Sequence, residues 1–164
     1  MKKYVLVLLT FVPCVAGNLV NYVRVFPGVF RWMADYGIPF GVLAFWFFLG
    51  SRYAGTDWSA VPAVFIGNAA GIFSAAVEVA VLAFHLGPGR SIPGMMFSRI
   101  ATAFSTSYFS AAPRELLYRL AMLFPPYRVT AGTFVAVPAV YLLIMIAVFA
   151  VGYFWGEKCR KKKK

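Results

Sequence analysis

The sequence predicts an all-α fold, that of a polytopic helical integral membrane protein with about five transmembrane helices (range four to six). Of its 164 residues, 62% are hydrophobic and 13% are charged, about half the charged share usual in soluble domains. A water-soluble fold of this size cannot hide so much apolar surface. Long apolar runs, separated by turns rich in Pro, Gly and Arg, indicate successive spans. We expect a single membrane-embedded domain over residues 1–164.

The first expected span runs from Tyr4 to Val23. Its basic start and apolar run resemble a secretory signal. Pro13 and Cys14 fit the small-residue cleavage pattern poorly, and the apolar run continues beyond them. We therefore expect a first span that is not cleaved.

The second apolar run, Gly37–Ser51, follows a connection expected over residues 24–36. As a helix it would measure only about 22 Å, which is short for a bilayer core of roughly 30 Å. To cross, it must recruit Trp32–Tyr36 from that connection or thin the bilayer.

The third expected span, Ser59–Leu86, contains one charge, Glu78. Its small and polar residues recur at helical steps of three, four or seven and form one stripe. The members of this stripe are Ala63, Gly67, Gly71, Ser74, Glu78 and His85. We expect the stripe to face protein or a wet cavity, with Asn68 beside it. Gly67 and Gly71 form a GxxxG pair, which predicts close helix packing.

The remaining segments differ from one another in polarity. Met95–Ala112 is rich in hydroxyls and contains Arg99, so we expect a helix packed within protein or a re-entrant segment. Pro113–Phe124 has one apolar and one charged face and is too short to cross, which predicts an interfacial amphipathic helix. Val129–Gly156 carries no charge and predicts the last span.

The formal net charge is +11, and six of the 16 Lys and Arg residues lie in a basic juxtamembrane tail, residues 157–164. Such a cluster directly after an apolar helix typically faces the cytoplasm of the cell membrane and contacts anionic lipid headgroups. This position argues for a lipid partner and against nucleic acid. Five spans, which we favour, place the chain ends on opposite sides. Four spans place both ends inside, and the distribution of Lys and Arg discriminates weakly between the two topologies.

Two charged residues lie inside apolar runs, and we hypothesise that Glu78 and Arg99 meet across adjacent helices. Such a pair would either belong to a functional site or only fix how the two helices align. Buried ion pairs add little net stability. His85, the single histidine, lies on the same face as Glu78 and could relay protons to it. An interfacial histidine bonded to a headgroup or carbonyl is the simpler interpretation.

The candidate binding residues are Glu78, Arg99, Asn68, Ser74 and His85. We expect no cofactor and no metal, because the motifs and ligand spacings that hold them are missing from the sequence. Missing hydrolase and nucleotide-binding motifs also argue against an enzyme. The sequence favours a small transporter or the substrate-binding membrane subunit of a transport complex. A structural or assembly subunit, packing with other membrane subunits or with itself, is the alternative, and an intramembrane enzyme is a further one.

Overall fold

The computed structural model describes residues 3–86, 103, 106–112 and 131–162. For residues 82–86 and 131–137 the description covers the backbone alone. These residues form helices and turns, and no strand occurs among them. The elements are α1 (Lys3–Leu9), α2 (Val12–Val23), α3 (Val29–Trp32), a π-helical turn (Met33–Gly37), α4 (Ile38–Tyr53), α5 (Ala60–Gly67), α6 (Ala69–Leu86) and α7 (Ala131–Lys161). The predicted all-helical class is therefore confirmed. The expected interfacial helix Pro113–Phe124 lies outside the described residues.

Within the described ranges, three helices are long and apolar enough to cross a membrane: Lys3–Val23, Val29–Tyr53 and Pro138–Lys161. A fourth crossing arises if the bent pair Ala60–Gly67 and Ala69–Val81 is counted as one span. The third run was expected to be one continuous helix, and this expectation was wrong. Its two halves meet at an angle of 56°.

The second long helix begins earlier than the apolar run that predicted it. It starts at Val29 and recruits Trp32–Tyr36, so the prediction that the run must be lengthened is confirmed. Residues 29–36 are thus helical and do not belong to a connection. The π-helical turn precedes Pro39, which cannot donate to the helical ladder and crowds the preceding turn. A wider turn accommodates that proline without ending the helix.

The core is built on close contact between α4 and α7. A Cβ atom at Gly152 would overlap the carbonyl oxygen of Phe47, and one at Gly156 would meet the carbonyl oxygen of Ser51 at 2.5 Å. Residue numbers rise together along both helices, so α4 and α7 run parallel. Glycine lets the two backbones approach to this distance. The aromatic ring of Phe149, fully buried, fills the space beside this contact.

Three contacts bring both ends of the described chain to one end of the bundle. Lys3 Nζ lies 2.9 Å from Asp57 Oδ2, and its hydrogen bond and charge lower the pKa of that exposed carboxyl. Tyr153 Oη donates to the carbonyl oxygen of Trp58 at 2.9 Å. Arg160 Nη1 donates at 2.6 Å to the carbonyl oxygen of Ala54, the C-cap residue of α4.

We call this end the tail end and the opposite one, where Val23 turns into Val29, the far end. A chain whose two ends lie together crosses the bundle an even number of times. The expected count of about five spans is therefore not confirmed among the described residues. The geometry agrees with the four-span alternative, which puts both ends on one side.

We expect Gly152→Ala to lower the free energy of unfolding by about 1–3 kcal/mol, the usual cost of overpacking. The added methyl group would meet the backbone of Phe47, which cannot move aside. Chemical unfolding in detergent micelles measures the change.

The matched control is Gly41→Ala, also in a helix, where a Cβ has nothing within 4 Å. Alanine is favoured over glycine in helices by about 1 kcal/mol, so this control keeps or gains stability. Equal losses in both variants would contradict the close α4–α7 contact.

Candidate functional site

The bend between α5 and α6 is centred on Asn68, which is fully buried. Its backbone leaves the helical region, with φ −107° and ψ 10°. The side-chain Nδ2 donates to the carbonyl oxygen of Val64 at 2.9 Å, which the Asn68 backbone N–H also reaches at 3.1 Å. Asparagine competes with the helical ladder in this way, and the competition accounts for a break at this residue.

The carbonyl oxygen of the Asn68 side-chain amide accepts a hydrogen bond from α4. Trp46 Nε1 donates to Asn68 Oδ1 at 2.9 Å, and both side chains are fully buried. The indole N–H and the amide thus satisfy each other inside the protein, where an unpaired polar group costs about 1–3 kcal/mol. This hydrogen bond fixes the position of the bend relative to the core.

Glycines flank the bend and admit aromatic side chains against its backbone. A Cβ at Gly67 would overlap the ring of Phe149, and one at Gly71 would overlap Tyr108 Oη and lie 2.9 Å from Leu142 Cδ1. The contacts pair rising residue numbers on α5–α6 with falling ones on α7, so these helices run antiparallel. Both glycines of the GxxxG pair therefore pack against side chains of their own chain.

The segment 106–112 reaches the bend from the opposite side. Tyr108 and Ala112 are fully buried, and Ser107 Oγ lies 3.2 Å from Asn18 Oδ1 of α2. A Cβ at Gly17 would overlap the carbonyl oxygen of Ser107. Residues 108–112 of the hydroxyl-rich run are thus buried, with α2 on one side and α6 and α7 on the other, whereas Ala103 is exposed.

Buried hydroxyl groups gather around Gly71, and we call Ser74, Tyr108 and Tyr141 the hydroxyl cluster. Tyr108 Oη lies against Gly71, the rings of Tyr108 and Tyr141 are 6.3 Å apart, and Ser74 lies one turn along α6 on the same face as Gly71. The three hydroxyls have no hydrogen-bond partner among the described residues. Buried polar atoms are normally hydrogen-bonded, to protein, an ion or water. The cluster can both donate and accept hydrogen bonds.

The structure brings together some of the residues that the sequence singled out. Asn68 and Ser74 lie at the bend, with the stripe buried from Ala63 to Ser74. Glu78 follows one turn later and is half-buried. His85 belongs to α6, but its side chain is outside the described residues, as is the whole of Arg99. The pairing of Glu78 with Arg99 therefore stays a prediction.

Sequence reasoning missed Trp46, Tyr108 and Tyr141. Tyr141, Met145 and Phe149 follow one another at steps of four, are all fully buried, and could have been read as the inner face of α7. Trp46 lies among several aromatic residues, and no feature of the sequence distinguishes it from them. The Gly152–Gly156 spacing is a signal that could have predicted the α4–α7 contact.

The chain matches no known family model, and comparison with curated proteins and with solved structures finds no relative. Its function must therefore be argued from its own geometry.

We expect Asn68→Ala to lower the free energy of unfolding by about 1–3 kcal/mol, because it leaves the buried indole N–H of Trp46 unpaired. A double-mutant cycle with Trp46→Phe isolates the hydrogen bond from the other contacts of Asn68. We expect a coupling of about 1 kcal/mol, measured by unfolding in detergent.

Asn21→Ala removes an exposed amide from α2 and serves as the control, with an expected change within about 0.5 kcal/mol. Additive effects of the Asn68 and Trp46 substitutions would show that their hydrogen bond does not hold the bend.

Proposed function

We propose that this chain is a membrane transport protein, or the substrate-binding membrane subunit of a transport complex, with its solute site at the bend. The observation that carries this proposal is the break at Asn68, inside the bundle and next to the hydroxyl cluster. Discontinuous helices that meet inside a bundle are typical of transporter binding sites. Irregular backbone at membrane depth is tolerated where protein or a wet cavity surrounds it.

The placement in a membrane is itself part of this proposal. About a third or less of each of the three long helices is buried in the protein. Along the first helix the outward positions are large and apolar, among them Leu8, Val15 and Tyr22. Water would solvate such surfaces poorly, whereas lipid tails solvate them well. A bilayer is the environment that matches these helices.

The chemistry of the site favours an uncharged solute with several hydrogen-bonding groups. Ser74, Tyr108 and Tyr141 offer hydroxyls, and the rings of Tyr108 and Phe109 pack edge to face beside them at 5.3 Å. Small-molecule sites commonly combine aromatic walls with a few polar groups in this way. Glu78, one turn beyond Ser74, would add an acidic group at the edge of the site.

A structural or assembly role has less support from the same stripe. Such a role would use the stripe as a packing face for another subunit. Gly67 and Gly71 are instead covered by Phe149, Tyr108 and Leu142 of this chain. An assembly interface would therefore need a different surface.

We expect Ser74→Cys, in a chain whose two native cysteines are replaced by serine, to react with a membrane-impermeant charged thiosulfonate. The reason is that a solute pathway must admit water to the hydroxyl cluster, and only the ionised thiol reacts quickly. Labelling in sealed vesicles, with reagent on one side at a time, measures this access.

Val79→Cys is the matched control on the same helix, because its outward position would face lipid and stay unreactive. If Ser74→Cys resisted the reagent from both sides, the proposed transport pathway would be wrong.

We also propose that the tail end faces the cytoplasm of the cell membrane. Among the described residues, the tail end carries six basic side chains: Lys3, Arg52, Lys158, Arg160, Lys161 and Lys162. The far end carries Arg24 and Arg31, which share Asp35. Basic residues near span ends favour the cytoplasmic side. The basic tail would then contact anionic lipid headgroups at the cytoplasmic surface.

In a Cys14→Ser chain, we expect the exposed native Cys159 to be labelled from the cytoplasmic side only. A cysteine at the exposed far-end position Val25 is expected to react from the outside only. Impermeant maleimide on intact cells and on inverted vesicles gives the two measurements. Labelling of both positions from one side would contradict the topology.

A further inference from the structure

A shallow apolar groove lies on the outer surface near the far end, away from the bend. Trp32, Tyr36, Gly37 and Phe40 line it, and its volume is about 350 Å³. Trp32 and Phe40 are 61% and 49% exposed, so the groove opens outward. We call it the aromatic groove.

The π-helical turn and a glycine shape this groove. The turn Met33–Gly37 widens the helix between α3 and α4, and π-bulges of this kind occur often at functional sites. The rings of Trp32 and Tyr36 are 6.3 Å apart and form one wall. Gly37 contributes no side chain to the floor of the groove. A Cβ there would make only ordinary contacts, at 3.8–3.9 Å, with Met33 and Trp32.

Positive charge lies next to the groove. Arg24 Nε is 2.9 Å from Asp35 Oδ1, and Arg31 Nε is 3.8 Å from Asp35 Oδ2. Two guanidinium groups therefore share one carboxylate, which leaves one positive charge in excess. The Arg31 side chain is 70% exposed and directly precedes Trp32. An exposed cation thus directly precedes, along the chain, the groove residue Trp32.

We propose that the aromatic groove binds one anionic phospholipid, with an acyl chain along Trp32, Tyr36 and Phe40 and the phosphate at Arg31. The groove offers apolar contact and the excess charge offers phosphate binding, the two chemical parts of such a lipid. Aromatic rings at the ends of membrane helices are enriched in the interface between hydrocarbon and headgroups. The inference rests on the membrane placement proposed above and does not depend on transport.

The test measures lipid retention by the purified full-length protein in mild detergent. Native mass spectrometry follows binding during titration with phosphatidylglycerol or with phosphatidylcholine of the same acyl chains. We expect one phosphatidylglycerol to be retained preferentially. Arg31→Gln reduces that preference about fivefold, the effect of one basic charge near anionic headgroups. Arg52→Gln, at the tail end and stacked over Phe48, leaves it unchanged.

Filling the groove gives the second arm of the test. Gly37→Leu places a side chain on its floor, and we expect this variant to lose the retained lipid. Gly41→Leu, one turn along α4 with nothing within 4 Å of its Cβ, is the matched control and keeps the lipid.

Three results of the lipid measurements would overturn the proposal. They are equal retention of the two lipids by the unsubstituted protein, normal retention by Gly37→Leu, and equal loss in Gly37→Leu and Gly41→Leu. Dissociation of a dimer by Gly37→Leu without any change in lipid would assign the groove to self-association and would also overturn it. The labelling of Ser74→Cys does not depend on any of these outcomes, so the transport proposal is tested separately.

Discussion

The hydrogen bond from Trp46 to Asn68 is the interaction on which the rest of this structure depends. It joins α4, the central helix of the bundle, to the point where α5 ends and α6 begins. An amide inside an apolar bundle needs a partner, and the indole N–H supplies one. With the amide held, the helix changes direction by 56° and brings Gly71 into contact with Leu142 of α7 and Tyr108 of segment 106–112.

The bend is held from the other side by the parallel pair α4 and α7. Phe149 packs against Trp46 at 6.2 Å and against Tyr53 at 5.1 Å, and it also covers Gly67. One ring of α7 therefore contacts both α4 and the end of α5, just before the bend. The glycines of α7 allow this helix to lie close to α4. They therefore set how deeply the ring of Phe149 is buried next to the bend.

Composition and periodicity predicted the helical class, the lengthening of the second helix and the polar stripe through Ser74. They did not predict the break at Asn68, where a local side-chain bond to the Val64 carbonyl competes with the helical ladder and a second bond, from distant Trp46, holds the bend in place. They also missed Tyr108 and Tyr141, whose roles depend on neighbours far along the chain. Only three-dimensional packing distinguishes these aromatic residues from those that face outward.

The parallel contact between α4 and α7 has a consequence for biogenesis. Arg160 and the Ala54 carbonyl that it caps are separated by 106 residues, so α4 leaves the ribosome well before its main partner exists. During that interval the face of α4 at Phe47 and Ser51, which later meets the glycines of α7, has no partner helix, and such unfinished surfaces are prone to misassembly. The packing of α4 in this bundle is therefore completed only after α7 has been synthesised.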